Sequence, residues 1–160
     1  MIGIKIICVG KMKEKFYIDA TAEYLKRLQA YCKAEIEELP EAKRPSNPSP
    51  AETDAAMLKE AEAIRAKIPK GAAVVAMCVE GKMLDSVAFS KMMMTEAASG
   101  ASKMCFIIGG SDGLHESVKR EAGMRISISP MTFPHHLFRV MLLEQIYRGF
   151  KIAEGGKYHK

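Results

Sequence analysis

The segment that most constrains the fold of this chain is residues 72–79 (AAVVAMCV), eight consecutive apolar or small residues. A strand with one face in water alternates polar and apolar residues, so a strand without polar residues is covered on both faces, as in parallel sheets. The run is also too short to span a bilayer. Further strand-like segments occupy residues 2–9, 34–39, 103–108 and 125–129.

Helical patterns separate these strands. Helices are predicted over 14–31, from Ser49, from Asp85 or Ser86 to Gly100, over 115–122, and from 134 to about 152. The second begins at Ser49-Pro50-Ala51-Glu52, a capping box with proline at the first helical position. A turn is expected at 80–82. Because strands and helices alternate, we predict a single α/β domain over residues 1–160, a sandwich with a mainly parallel sheet.

The composition bears on the possible binding partners and on the cellular compartment. The net charge of +5 in 160 residues favours a polyanionic partner, although many basic proteins of this size bind none. The four cysteines, Cys8, Cys32, Cys78 and Cys105, are too far apart for a C-x-x-C element. We therefore expect reduced, buried, structural thiols, no metal site and a cytoplasmic protein. The first residues resemble a strand that carries a lysine, and we expect no signal peptide.

Two strands run into turns rich in glycine, proline, serine and threonine, at 109–113 (GGSDG) and 128–135 (ISPMTFPH). Such turns bring the main chain close to a ligand. The loops after Val79, Ile108 and Ile128 all follow carboxyl ends of strands, where open parallel sheets bind ligands, so we expect them to form one pocket. The glycine turn alone is equally typical of a tight strand-to-helix connection, and it matches neither the dinucleotide fingerprint nor the P-loop.

The last helix and the tail carry the remaining candidate residues. The helix is apolar on more than one face, which predicts burial between the core and a second subunit. Glu144 and Arg148 form an i,i+4 pair, whereas Arg139 has no such partner and is a candidate anion contact. The tail, 154–160 (EGGKYHK), is typical of a frayed terminus, but its lysines, tyrosine and histidine also suit base stacking, phosphate contact and proton transfer.

Four segments together resemble one family: IKIICVGKMKEKFY at the start, IIGGSDGLH, MTFPHHLFRVMLLEQIYRGFKI, and GGKYHK at the end. Over nearly its whole length the chain is similar to the ribosomal RNA large subunit methyltransferase H family of the SPOUT class. The resemblance implies a deep trefoil knot over approximately 72–160 and a homodimer packed through the C-terminal helix. It also implies methyl transfer from S-adenosyl-L-methionine to N3 of a pseudouridine in 23S rRNA of the assembled ribosome.

By position, the resemblance also implies roles for individual residues. His159 would act as the base, with Tyr158 and Arg139 orienting the target ring or stabilising its charge. Family members often have leucine at the position of Met77 and an acidic residue at that of Cys78. The residues expected to hold the cofactor are Met77, Gly109, Ile128, Ser129, Pro130, Met131, Thr132 and Phe133.

A second hypothesis is a non-catalytic module that binds RNA or the ribosome and retains the fold. The complete glycine turn, the S-P-M-T-F-P segment and the tail weigh against it, because RNA binding alone requires none of them. Lys11, Lys13 and Lys15 are candidate RNA contacts, but a solvated basic turn explains them as well.

Overall fold

A computed structural model describes residues 1–159 and has the predicted α/β architecture. Its parallel sheet has the strand order β2-β1-β4-β3-β5 within these residues. The strands are β1 (Gly3–Val9), β2 (Lys33–Leu39), β3 (Ala73–Met83), β4 (Lys103–Ile108) and β5 (Met124–Ser127). The helices are α1 (Lys15–Leu28), α2 (Pro50–Arg65), α3 (Ser86–Ala98), α4 (Glu116–Glu121) and α5 (His135–Ala153).

Helices cover both faces of the sheet, which explains the apolar central strands. Successive residues of β1 point to opposite faces: Ile6 packs in one core cluster and Ile7 in the other. The first cluster also contains Phe89 of α3 and Leu142 of α5, and the second contains Ile64 of α2. The prediction of a strand covered on both faces is confirmed for residues 73–77, whereas Val79 is half exposed.

The prediction of a turn at 80–82 is wrong, because β3 continues to Met83. Its pairing with β5 is interrupted between Met77 and Lys82, and both of these residues pair with Ile126. Gly81 permits this arrangement, since a Cβ there would lie 2.6 Å from the carbonyl carbon of Ile126. The strand continues because β5 supplies partners on both sides of the interruption, a long-range effect that local turn propensity does not reveal.

Helix starts agree closely with the sequence. The Ser49 hydroxyl accepts a hydrogen bond from the Glu52 amide at 3.2 Å, and Glu52 Oε1 accepts one from the Ser49 amide at 3.1 Å. At α3, Asp85 Oδ1 accepts a hydrogen bond from the Ala88 amide at 2.7 Å. Both caps satisfy amides that would otherwise lack partners in the first turn.

Helix α5 lies between α1 and α3 on one face of the sheet. Two neighbouring helices therefore bury much of its apolar surface within the chain: Leu142, Leu143, Ile146 and Phe150 are buried, whereas Leu137, Val140 and Met141 are half-buried. A second subunit is not needed to explain the fully buried side chains. Among the described residues, no helix is long and apolar enough to cross a membrane.

Three of the four cysteines are buried as predicted: Cys8, Cys32 and Cys105. Burial raises the pKa of the Cys8 thiol to about 12, so this side chain is an uncharged core residue. Cys78 is only half-buried.

Candidate active site

A cavity of about 350 Å³ lies beside residues 77–80 of β3 and at the carboxyl ends of β4 and β5. Main chain from the glycine turn forms one side, and side chains from β3 and from the segment after β5 form the others. The apolar part of its lining comes from Met77, Val79, Ile108, Leu114, Ile128, Met131, Phe133 and Phe138. The segments after Ile108 and Ile128 therefore meet at one pocket, as the sequence predicted, but its third wall is residues 77–80 within β3 and not a loop after Val79.

Seven of the eight predicted cofactor-binding residues line this cavity: Met77, Gly109, Ile128, Ser129, Met131, Thr132 and Phe133. Pro130 is exposed and does not line it. It lies in a segment whose conformation is stabilised by local hydrogen bonds. The Ser129 hydroxyl accepts a hydrogen bond from the Met131 amide at 3.0 Å, and the Ser127 hydroxyl donates one to the Ser129 carbonyl at 3.0 Å.

The glycine turn is compact because its main chain folds back on itself. A Cβ on Gly109 would lie 2.4 Å from the carbonyl carbon of Gly113, and Gly113 has a φ of +79°. Arg44 Nε lies 2.8 Å from Asp112 Oδ2, an ion pair by distance that ties the turn to the segment after β2. The N-cap of α4 is His115, whose ring Nδ1 accepts a hydrogen bond from the Ser117 amide.

Charged and titratable groups lie at the edge of the cavity. Lys119 forms an ion pair with Glu80, and this contact holds the pKa of Glu80 below its ordinary value. Burial, assisted by the Glu80 charge, raises the pKa of Cys78. Burial, and then the charges of His136 and Arg139, lower the pKa of His135. Near neutral pH the cavity thus presents a protonated thiol and an uncharged imidazole beside an ion pair.

A second cavity, of about 370 Å³, adjoins the first and shares Met77, Ser127 and Ile128 with it. His159 lines this second cavity together with Ser86 and Gln145. The predicted base therefore lies next to the predicted cofactor cavity and not inside it.

The tail is held against α5 as far as Tyr158. The Gly156 amide donates to the Lys151 carbonyl at 2.9 Å. The Tyr158 hydroxyl donates to Glu144 Oε2 at 3.0 Å, and the Arg148 guanidinium carbon lies 4.6 Å from the Tyr158 ring centroid. Burial and the hydrogen bond to Glu144 raise the pKa of Tyr158, so its phenol stays protonated.

Arg139 has no i,i+4 partner, as expected, but it lines neither cavity and its guanidinium is paired with distant residues of the chain. Its side chain is 1% exposed, and Nη1 donates to Glu38 Oε2 at 2.7 Å. Nη2 donates to the carbonyl oxygens of Val9 and Gly10 at 3.1 and 2.6 Å. Helical spacing missed these partners because they lie on β2 and at the end of β1.

Two residues of α5 that contact the tail, Glu144 and Arg148, were not predicted as site residues. Their i,i+4 ion pair, 2.7 Å between Arg148 Nη2 and Glu144 Oε1, fixes the surface on which Tyr158 lies. The pair was visible in the sequence, but its contact with the tail depends on the chain turning back after Ala153. Among the described residues, no group of three or more histidine, cysteine or acidic side chains is arranged to hold a metal ion.

Comparison with known proteins agrees with this geometry. Curated relatives include the ribosomal RNA large subunit methyltransferases H of Leuconostoc mesenteroides, 44% identical over 158 residues, and of Listeria monocytogenes serotype 4b, 46% identical over 158 residues. Each alignment covers 99% of this chain and 99% of the relative.

A solved structure shares the fold at low sequence identity. A probable methylase family protein from Haemophilus influenzae Rd KW20 matches with a TM-score of 0.56 and 11% identity, over 98% of this chain and 70% of that one. The family model described as "Predicted SPOUT methyltransferase" matches residues 2–159. The chain therefore belongs to the SPOUT methyltransferase family and is a methyltransferase.

Proposed function

We propose that this chain methylates N3 of a pseudouridine in 23S rRNA of the assembled ribosome, using S-adenosyl-L-methionine, as a homodimer in the bacterial cytoplasm. One observation carries the proposal: a cofactor-sized cavity, beside β3 and at the ends of β4 and β5, adjoins a second cavity lined by His159. The names of the curated relatives support rRNA of the large subunit as the substrate.

The first cavity suits S-adenosyl-L-methionine. Its volume of about 350 Å³ lies in the range of small-molecule sites, and its apolar lining with main-chain polar groups at a glycine turn is typical of them. The residues that would hold the cofactor are Met77, Gly109, Ile128, Ser129, Met131, Thr132 and Phe133. Pro130 shapes the segment 128–133, which carries five of them. When bound, it supplies an electrophilic methyl group on a sulfonium sulfur. Ion-paired Glu80 offers the polar contact that the thiol of Cys78 does not.

The chain's own residues then have two tasks, holding the target base and removing its N3 proton. The imide nitrogen is a poor nucleophile until that proton leaves, and histidine is the side chain best suited to accept it near neutral pH. We assign this role to His159. Tyr158, a phenol already bonded to Glu144 and stacked on Arg148, orients the tail.

Arg139 has a positioning role in this proposal and does not contact the base directly. Its guanidinium joins α5 to the ends of β1 and β2, and a direct contact with RNA would require the Glu38 ion pair to open. The guanidinium nearest to the tail belongs to Arg148, which suits it better for the stabilisation of charge near the target ring.

The trefoil knot over approximately 72–160 and the homodimer are parts of the same proposal. The match to the SPOUT methyltransferase family supports the knot, which the resemblance of the sequence to that class implies. In support of the dimer, the half-buried apolar residues of α5 are accompanied by exposed Met83, Val87 and Met131. Exposed apolar side chains of this size suit a subunit interface.

Calorimetry with S-adenosyl-L-methionine tests the proposal against the rival RNA-binding module. We expect binding near one cofactor per chain with a measurable heat. An absence of heat across several temperatures would favour the non-catalytic module, since a change of temperature shifts the binding enthalpy away from any accidental zero.

Replacing His159 tests the assignment of the base. His159→Ala should lower the single-turnover rate constant on ribosomes by about 10²- to 10⁴-fold, the usual contribution of a general base. Lys157→Ala is the matched tail control; it should weaken ribosome binding while the rate constant at saturation stays unchanged. An unchanged rate constant for His159→Ala would eliminate the assignment.

A further inference from the structure

The second cavity has a polar side and apolar walls. The polar groups come from Asp85, Ser86, Ser127, Gln145 and His159. The Asp85 carboxylate is engaged as the cap of α3, where Oδ1 accepts from the Ala88 amide. The apolar walls come from β3, the connection that follows it, α3, β5 and α5: Met77, Leu84, Phe89, Ile126 and Leu142. A volume of about 370 Å³ accommodates a small planar ring, and the shared residues Met77 and Ile128 bring such a ring next to the first cavity.

Gln145 is fixed as a hydrogen-bond donor to this cavity. The Ser86 hydroxyl donates to Gln145 Oε1 at 2.7 Å, which occupies the carbonyl side of the carboxamide. Within residues 1–159, the Nε2 amino group makes no hydrogen bond. A primary amide carries two N–H donors, so both remain for a ligand or for water.

We propose that this cavity receives the target nucleobase and that Gln145 recognises its imide by donating an N–H to a carbonyl oxygen beside N3. The inference rests on the proposed function, which it deepens. An imide presents C=O, N–H and C=O in a row, and Gln145 and His159 supply a donor and an acceptor that match two adjacent groups. Cytosine has an amino group in place of one carbonyl and no proton on N3. It therefore cannot donate an N3 hydrogen bond to the His159 imidazole.

The same contact assists the removal of the proton. When the N3 proton moves to the His159 imidazole, the electron pair stays on the base and its negative charge spreads over the two carbonyl oxygens. A hydrogen bond from Gln145 to one of these oxygens then becomes a bond to an anion, which is about twice as strong as a neutral one. Gln145 would therefore bind the deprotonated base more tightly than the neutral base.

Gln145→Met removes the donor and keeps the length of the side chain. We expect the single-turnover rate constant on ribosomes at neutral pH to fall about ten- to a hundred-fold, the loss of one hydrogen bond to a charged group. The pH–rate profile should move to higher pH, because the base anion forms less readily. The affinity for S-adenosyl-L-methionine alone should stay within about two-fold of wild type, because the donor is assigned to the neighbouring cavity.

Two further variants complete the test. Ser86→Ala leaves the Gln145 donor in place but frees its orientation, so it should give a smaller loss with the same pH shift. Gln29→Met makes the same change at an exposed position on the C-terminal side of α1 and should alter nothing.

The outcomes separate cleanly. A wild-type rate and pH profile for Gln145→Met would overturn the inference. So would a slower rate accompanied by an equal loss of cofactor affinity or thermal stability, because Gln145 would then act in packing. A wild-type enzyme that binds the cofactor but methylates no ribosome would overturn the proposed function itself. A slower rate with a shifted pH profile and unchanged cofactor affinity supports the inference.

Discussion

Arg139 is a buried cation whose partners come from elements far from it in sequence. The Glu38 carboxylate lies 101 residues away, so helical spacing in α5 could not reveal the pair. The sequence indicated Arg139 as a candidate anion contact. In the structure, its partners depend on the packing of α5 on the ends of β1 and β2. The path of the tail was hidden from the sequence in a similar way: its two glycines are typical of a frayed terminus, whereas main-chain hydrogen bonds fold it onto α5.

Arg139→Met tests this structural role. Its removal leaves Glu38 without its ion-pair partner and two carbonyl oxygens without donors. We expect the free energy of unfolding to fall by about 3 kcal/mol. This value is at the lower end of the range measured for broken buried ion pairs, because Glu38 is partly exposed. Urea unfolding measures the change.

Arg148→Met is the matched control on the same helix. Its partner Glu144 is one turn away and the pair is more exposed, so we expect a loss of about 1 kcal/mol or less. Equal losses for the two variants would show that Arg139 is not the stronger anchor of α5.

At the scale of elements, the order of strands and helices follows from the sequence, because apolar runs and caps are local signals. The continuation of β3 past Val79 does not follow from it. Glu80 and Gly81 have low strand propensity, and only the pairing of β5 with both parts of β3 keeps this segment extended. Likewise, the glycines of the 109–113 turn were recognised, but the close packing that requires Gly109 is visible only in three dimensions.

Gly109→Ala tests whether this close packing shapes the cofactor cavity. The added methyl group would lie 2.4 Å from the Gly113 main chain, so the turn must shift. We expect a loss of about 1–3 kcal/mol in stability, as for other overpacked sites, and a loss of S-adenosyl-L-methionine binding. Thermal unfolding and calorimetry measure the two effects.

Gly123→Ala is the matched control for this substitution. The nearest atom to its added Cβ is the Val74 carbonyl oxygen at 3.7 Å, an ordinary contact. Stability should stay within about 0.5 kcal/mol of wild type, with cofactor binding retained. Cofactor affinity that is unchanged in Gly109→Ala would contradict the proposed position of the cofactor.

At the scale of the whole molecule, the proposed homodimer joins half-buried faces of α5. We expect sedimentation equilibrium to give a mass twice the 17.6 kDa of one chain at micromolar concentration. Met141→Lys introduces a charge on the half-buried α5 surface and should produce monomers, because an unpaired charge is costly at a subunit interface.

Leu58→Lys, at a partly exposed apolar position on α2, is the control and should leave the dimer intact. A wild-type chain that sediments as a monomer at tens of micromolar would rule out the dimer as the working form.

The central claim is that this chain transfers a methyl group to one nucleotide of the large ribosomal subunit. The most direct measurement supplies S-adenosyl-L-methionine labelled in its methyl group to assembled ribosomes, isolated large subunits and naked 23S rRNA from cells that lack the modification, and then maps the labelled nucleotide. We predict label at N3 of a single pseudouridine of 23S rRNA, with assembled ribosomes as the best substrate. Label on ribosomal protein, on a different nucleotide, or on none of the three substrates would contradict the account.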